Sequence, residues 1–302
     1  MPRKNPTQPP PRNPLARLAR FLFRPGVLVI AALLAAGWFV APMIRRALPR
    51  LDERAEYRVR TAEIQVTELP RWVPPDFVAQ ATRQAGLPEE MSLLDDRLAR
   101  DVAEAFRLHP WVRNVVRVEK KYPARVVVEL EYREPVAMVQ VSRGMYPVDA
   151  DGVLLPPADF SVADTNRYPT LAEVKSTPQG PAGSSWGDPV VIGGAKLAAV
   201  LLPDWRELGL TAIRATHSAS AKLDDITYEL VTRGGSRIVW GRPPQSDHPG
   251  ELTPEQKLGR LKDYRERFGD FDAPDGPYEI DIRHWQQISR RPLAEGSSNE
   301  RR

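Results

Sequence analysis

The sequence predicts an α+β protein with a single-pass membrane anchor, a domain of β-α-α-β-β order, and a mainly antiparallel β domain with flanking helices. Three observations favour this fold class. An uncharged apolar run lies near the N-terminus, a helix-like run precedes two valine-rich alternating segments, and further alternating segments follow residue 210. The 302 residues exceed the roughly 100 to 200 expected for one domain, so at least two domains are predicted.

Residues 1–25 are rich in proline and contain six basic residues but no acidic ones. Few of them are apolar before Leu15, so this tail is expected to be disordered. The net charge of the chain is +4, but outside the tail 37 basic residues face 39 acidic ones. The basic excess therefore belongs to the tail rather than to a folded surface, which argues against nucleic-acid binding.

Residues 26–44 carry no charge and are predicted to cross the lipid bilayer as one helix, since about 20 apolar residues span a bilayer. The run is longer than the apolar core of a signal peptide, roughly 7 to 15 residues, and Phe39 lies near its end where a cleavage site needs small residues. Basic residues are more numerous before it than after it, which predicts a cytoplasmic N-terminus. Residues 45–56 would connect the anchor to extracytoplasmic domains.

The first domain is predicted over residues 57–135. Its first strand alternates at Ala62, Ile64 and Val66, and a short helix from Asp76 to Ala85 ends at Gly86. Ser92 and Asp95 have the spacing of a capping box, which predicts a helix with one apolar face formed by Leu94, Leu98, Val102 and Phe106.

Pro110 is expected to end that helix, and Trp111 to turn into the core. The next strand would place Val112, Val116 and Val118 on one face. A turn at Tyr122-Pro123 would lead into a second strand whose buried side chains are Val126, Val128, Leu130 and Tyr132.

The second domain is predicted over residues 136–290, followed by a disordered tail at 291–302. Asp149 to Gly152 is read as a β-turn, because Phe160 occupies the place where a calcium loop needs its last acidic ligand. Thr253-Pro254-Glu255-Gln256 predicts a capped helix start, with Leu258, Leu261, Tyr264 and Phe268 as the buried stripe. The other predicted elements are loops at Pro156–Asn166 and Ser176–Asp188, a helix at Ala195–Leu202, and strands at Leu210–Thr216, Ile226–Thr232, Arg237–Trp240 and Tyr278–Arg283.

Catalytic patterns are weak in this sequence, which predicts a protein that is not an enzyme. There is no cysteine, and the four histidines, His109, His217, His248 and His284, are scattered without metal-binding spacing. Ser218 and Ser220 near His217 could suggest a hydrolase, but a polar loop is the preferred interpretation. No cofactor, metal or small-molecule substrate is expected.

Several motifs in order resemble the FtsQ/DivIB family of bacterial cell-division proteins, whose extracytoplasmic part begins with a POTRA domain of β-α-α-β-β order. The resemblance covers about Tyr57 to Arg290. The matching motifs are Pro110-Trp111-Val112, Val115 to Lys120 with Tyr122-Pro123, Arg133 to Ala137, Val148 to Val153, the strand around Ile238, and Ile280 to Arg283.

The resemblance implies partner recruitment by the POTRA domain and by the final strand of the β domain. A terminal strand exposes backbone groups that a partner strand can pair with. Ile280 and Ile282 would face the core, and the candidate partner-binding residues are Glu279, Asp281, Arg283, His284 and Trp285. The family's aromatic directly follows the arginine, whereas here His284 intervenes. Arg283 could pair with an acidic partner or, alternatively, form an ion pair inside the domain with Glu229 or Asp281.

The function implied is a bitopic cell-division scaffold of the inner membrane that recruits coiled-coil proteins of the FtsB and FtsL type, and other septal membrane proteins, at the division septum. The alternative is a POTRA-bearing export or envelope-assembly factor that binds extended client segments. A scaffold should bind one or two defined partners through the last strand, whereas an assembly factor should bind many peptides through the POTRA edge.

Overall fold

The computed structural model describes residues 26, 29–30, 32–38, 40, 54–217, 225–246 and 248–293. From residue 54 onward, the described residues form thirteen strands and five α-helices. Contacts divide the chain into two units, the second of which begins at Ala55. This second unit is α+β. It contains two hydrophobic cores, and the parts around them are called the N-terminal lobe (residues 55–135) and the C-terminal lobe (residues 136–293) below.

The predicted fold class needs one correction, which concerns the single-pass membrane anchor. No helix among the described residues is long and apolar enough to cross a membrane. In the predicted span, residues 26, 29–30, 32–38 and 40 are described, and they are helical. The rest of the predicted span, the tail at 1–25 and most of the connector lie outside the described residues.

The N-terminal lobe combines two helices with a three-stranded sheet of order β2-β5-β4, in which β2 is parallel and β4 antiparallel to β5. A separate antiparallel pair joins β1 and β3. The elements are β1 Arg58–Arg60, β2 Gln65–Val66, α1 Phe77–Gln84, β3 Glu90–Ser92, α2 Leu98–Arg107, β4 Val112–Lys121 and β5 Arg125–Tyr132.

Two predicted boundaries in this lobe are wrong. Helix α2 begins at Leu98. Ser92 belongs to β3, where it pairs with Arg58 of β1, and so it does not cap the helix. The side chain of Asp95 instead accepts the amide of Arg97 through Oδ1 at 2.9 Å, and Leu94 is exposed. In the predicted first strand, the chain forms a 3-10 turn from Thr61 to Glu63 and pairs only at β2.

The predicted hairpin is present, with Val126, Val128 and Leu130 of β5 buried as expected. Strand β4 differs from the prediction because its register with β5 shifts twice, after Val112 and after Val115. Each shift changes which side chains face the core, since alternate residues of a strand point to opposite faces. Val116 is therefore exposed.

The C-terminal lobe is built on an eight-stranded sheet of order β13-β12-β11-β10-β9-β8-β6-β7. Its elements are β6 Ala137–Val141, β7 Gly144–Val148, α3 Val162–Thr165, β8 Thr170–Ala172, α4 Pro189–Leu201, β9 Leu210–His217, β10 Thr227–Thr232, β11 Arg237–Gly241, α5 Pro254–Phe268, β12 Tyr278–Asp281 and β13 Ser289–Pro292. Four of its seven strand pairings are antiparallel, and three, β6·β8, β8·β9 and β11·β12, are parallel.

Both long helices of this lobe have side-chain caps. Asp188 accepts the amide of Val190, so α4 begins at Pro189, six residues before the predicted start. The predicted capping box of α5 is confirmed: Thr253 accepts the amide of Gln256, whose side chain accepts the amide of Thr253.

Side chains from residues 149–160 hold the two lobes together. Arg133 Nη1 lies 2.6 Å from Asp149 Oδ2 in an ion pair that is largely buried. Asp149 Oδ1 also accepts the amides of Asp151 and Val153, which forms the predicted turn. Leu155 packs into the core of the N-terminal lobe, so this core is completed by a residue from the other lobe.

Candidate partner-binding edge

The edge of the eight-stranded sheet nearest the C-terminus is β13, a strand that the sequence did not predict. The strand expected to be terminal, β12, has neighbours on both sides, with β11 parallel and β13 antiparallel to it. Residues 291 and 292, assigned to the disordered tail, belong to β13. The backbone groups of β12 are therefore already paired, and a partner strand at this end of the sheet would meet β13 instead.

The pairing of β13 shows which of its backbone groups face outward. The amide of Leu293 donates to the carbonyl of Pro277 at 2.9 Å. Because antiparallel strands alternate between groups that face the neighbour and groups that face away, Ser289 and Arg291 face β12, and Arg290 faces away. Pro292, like Arg290, faces away from β12. Its lack of an amide hydrogen therefore costs no hydrogen bond to β12. The Arg290 amide and carbonyl are thus presented at the edge.

On the inner face of this edge, the side chain of Arg290 packs over aromatic rings at the margin of the core. Ile280 and Ile282 are buried, as predicted. The guanidinium carbon of Arg290 lies 4.6 Å from the ring centre of Tyr278 and 5.5 Å from that of Phe268, and so covers both aromatic rings. Hydrogen bonding to the Tyr264 hydroxyl raises the pKa of Arg290, so the group stays charged.

On the outer face, the two predicted acidic residues are paired with arginines. Glu279 forms an ion pair with Arg291, which stands opposite it across the strand pair. Asp281 accepts three hydrogen bonds from the side chain of Arg283. Burial raises the pKa of Asp281, but the hydrogen bonds and charge of Arg283 outweigh this effect, and the resulting pKa lies below its usual value. Of the two alternatives for Arg283, the structure shows the ion pair inside the domain, with Asp281.

His284 and Trp285 lie in the connection between β12 and β13. Trp285 is 75% exposed, and its carbonyl accepts a hydrogen bond from Arg260 Nη1 of α5 at 3.0 Å. His284 is also exposed, with Nε2 3.9 Å from Asp281 Oδ2. The connection is therefore tied to α5 through its backbone, while the indole ring of Trp285 remains free to contact another molecule.

Behind this connection lies a charged cluster that sequence reasoning missed. Lys257 of α5 is 2% exposed, forms an ion pair with Glu251, and has Nζ 5.1 Å from the ring centre of Trp240. Burial lowers the pKa of Lys257, although Glu251 opposes this. Arg242 Nη1 lies 3.7 Å from Glu251 Oε2. Helical periodicity could have indicated this burial, because Lys257 stands four residues before Leu261, which is fully buried.

The described histidine side chains make local contacts. His109 is buried, with its ring centre 4.6 Å from that of Phe77, and Nδ1 accepts the amide of Trp111 at 3.4 Å. His248 is exposed, with Nδ1 3.1 Å from the Pro249 carbonyl. The side chain of His217, together with Ser218 and Ser220, lies outside the described residues. Among the described residues, no group of three His, Asp or Glu side chains could hold a metal ion.

Comparison with protein-family models and with curated proteins gave no match to this chain.

Proposed function

We propose that this protein is a cell-division scaffold of the FtsQ type, which acts by binding other division proteins at the septum rather than by catalysis. The observation that carries the proposal is the edge strand β13, which pairs only with β12 among the described residues, together with the exposed Trp285 and with Arg283 and Arg291, which form ion pairs with Asp281 and Glu279. The motifs that resemble the FtsQ/DivIB family supply the biological context.

The edge is suited to a partner that adds one extended strand. Backbone hydrogen bonds from the partner would meet the outward amide and carbonyl of Arg290, and its side chains would contact Trp285. Aromatic and arginine side chains are those most often responsible for binding energy in protein interfaces. The partner class proposed is a small coiled-coil division protein of the FtsB or FtsL type.

Photocrosslinking in living cells tests this proposal. A photoreactive amino acid at position 284 would capture whatever lies against the β12–β13 connection, and mass spectrometry would identify it. We expect one small coiled-coil protein, captured less efficiently when Arg283→Glu is added.

A proline substitution separates the strand edge from side-chain effects. Arg290→Pro removes the outward amide hydrogen and the side chain, whereas Arg290→Ala removes only the side chain and is the matched control. If a partner strand pairs with β13, Arg290→Pro should reduce capture well below the level of Arg290→Ala. Equal capture by the two variants would exclude strand addition at this edge.

The alternative class, an export or envelope-assembly factor, predicts a different capture pattern. Many unrelated exported proteins would then be captured, and capture would be stronger from the sheet edges of the N-terminal lobe than from position 284. The absence of any captured protein at position 284 would rule out the proposed site.

A further inference from the structure

The connection between β12 and β13 carries the exposed Trp285 on a stretch of backbone that has little packing of its own. Residues 283–287 are all exposed, whereas Ile282 before them is buried and Ile288 after them packs partly against the core of the C-terminal lobe. Exposed backbone with few buried contacts is the part of a protein that changes conformation most easily. The orientation of Trp285 therefore depends on the hydrogen bonds that this stretch makes.

The start of the connection is fixed at Arg283. Its amide and its guanidinium both donate to the Asp281 carboxylate, with the amide nitrogen 3.0 Å from Oδ1. The stem of Arg283 also lies against Gly241, where an added Cβ would come within 3.1 Å of Arg283 Cδ. The next residue, His284, adds only a distant contact, with Nε2 3.9 Å from Asp281 Oδ2. These contacts leave the backbone beyond residue 284 to be held by another group.

That group is the guanidinium of Arg260 on α5. Arg260 Nη1 donates to the Trp285 carbonyl at 3.0 Å, and this is its one hydrogen bond or ion pair with a described residue. Arg260 Nε is buried and has no hydrogen-bond partner in the same part of the chain. Because the Nε side is enclosed by the protein, packing holds the guanidinium with Nη1 directed at the connection.

Helix α5 gives Arg260 a rigid base. Leu261 and Tyr264 of this helix are buried in the core of the C-terminal lobe, and the capping box at Thr253 fixes its first turn. Arg260 therefore ties an exposed stretch of backbone to an element that is anchored in the core.

We propose that Arg260 is a positioning residue of the partner-binding edge, which holds the backbone at Trp285 so that the indole ring is presented to the partner in one orientation. The proposal rests on the scaffold function proposed above. A group that is ordered before binding loses less conformational entropy when the partner binds, so the complex is tighter. Trp285 contacts the partner, and Arg260 acts through Trp285.

The first measurement asks whether Arg260 orders the connection in the free protein. The chain has no cysteine, so His284→Cys gives a single site for a nitroxide label in the full-length protein. We expect Arg260→Ala to narrow the electron paramagnetic resonance lines, because the label becomes more mobile. Arg260→Lys keeps a cationic donor and should restore most of the order.

Lys262→Ala is the matched control for both measurements. It also removes one positive charge from α5, but at a position about 200° around the helix from Arg260. Lys262 pairs there with Asp204, with Nζ 2.8 Å from Oδ2. The control should leave the label spectrum and partner capture unchanged.

The second measurement is in-cell capture of the small coiled-coil protein by a photoreactive amino acid at position 289. This position lies on β13, outside the connection, so the reporter itself stays in place when the connection loosens. We expect Arg260→Ala to reduce capture about threefold or more, because the indole must then be ordered on binding. Arg260→Lys should recover most of this loss.

A double-variant cycle shows whether Arg260 acts through the indole. Trp285→Ala removes the ring but keeps the carbonyl that Arg260 binds. If Arg260 acts by presenting the ring, adding Arg260→Ala to Trp285→Ala should cause little further loss of capture. Independent losses that multiply would mean that Arg260 contacts the partner itself, and would overturn the positioning role.

The positioning role is also overturned by an unchanged spectrum in Arg260→Ala, by unchanged capture in that variant, or by equal effects of Arg260→Ala and Lys262→Ala. Capture from position 289 that persists in every variant would overturn this inference alone and leave the scaffold proposal standing. No capture from position 289 in the otherwise unchanged protein would overturn both together.

Discussion

The guanidinium of Arg283 is held by the carboxylate of Asp281, with Nη2 2.6 Å from Oδ2 and Nε 3.0 Å from Oδ1. The sequence left two roles open for Arg283, a contact with an acidic partner or an ion pair inside the domain. In the free protein that arginine is paired, so a partner carboxylate would have to share it with Asp281 or displace it. The group left without such a constraint at this surface is the exposed ring of Trp285.

The first prediction concerns this pair. Asp281→Asn should reduce the free energy of unfolding by less than about 1 kcal/mol at neutral pH, because the pair is partly exposed to solvent. The pKa of Asp281 is lowered in the folded state, so its contribution is present above the unfolded value and is lost as pH falls through the folded value. The difference in urea unfolding between the two proteins should therefore shrink as pH falls below the unfolded value of about 3.9. A stability gap that widens in acid would contradict this account.

The second prediction concerns the indole hydrogen bond between the lobes. Trp111 is fully buried, and its Nε1 donates to Asp159, which is exposed. Asp159→Ala leaves a buried donor without its partner and should cost about 1 to 3 kcal/mol in unfolding free energy. Asp159→Asn keeps an acceptor and should cost less than about 1 kcal/mol. Denaturant unfolding distinguishes the two, and equal losses would show that the hydrogen bond is not responsible.

Alternating apolar patterns predicted β5 and β9 to β12 well, because each of these strands buries one face. Strand β13 was missed since Ser-Arg-Arg-Pro has no apolar alternation, and it is held by pairing with β12 and by the packing of Arg290 on Tyr278. The exposure of Val116 depends on strand register, which a single sequence does not contain. The parallel pairing of β11 with β12 depends on the path of the chain between them.

The arrangement of the candidate partner-binding residues could not be predicted from the sequence. Arg283 is exposed and Glu279 and Asp281 are half-buried, and their ion pairs depend on Arg291 and on the turn after β12. The burial of Lys257 was missed because a charged residue is normally assigned to the solvent face of a helix.

The third prediction is a pH dependence caused by His109. Burial lowers the pKa of this imidazole, while Asp159 and Asp76 oppose the shift. Between the folded pKa and the unfolded value of about 6.5, the unfolded chain binds more protons, so stability falls as pH decreases through that window. The slope contributed is at most about 1.4 kcal/mol per pH unit. His109→Gln should flatten the dependence below about pH 6.5. An unchanged slope in the variant would assign it to other groups.

The last prediction concerns the buried pair of Lys257 and Glu251. Removing one partner of such a pair leaves an uncompensated buried charge and costs about 3 to 5 kcal/mol. Glu251→Gln strands the ammonium of Lys257, which is 2% exposed, so we expect a loss in this range. Lys257→Met should cost less, because Glu251 retains Arg242 as a neighbour and is itself more exposed.

The double variant Glu251→Gln with Lys257→Met completes the cycle. It removes both charges and keeps similar volumes, so it should be more stable than Glu251→Gln alone by at least about 1 kcal/mol. Thermal and denaturant unfolding of the four proteins would give the coupling energy. Additive losses would mean that the two charges do not compensate each other, and that the packing of the lysine stem against Trp240 accounts for its burial.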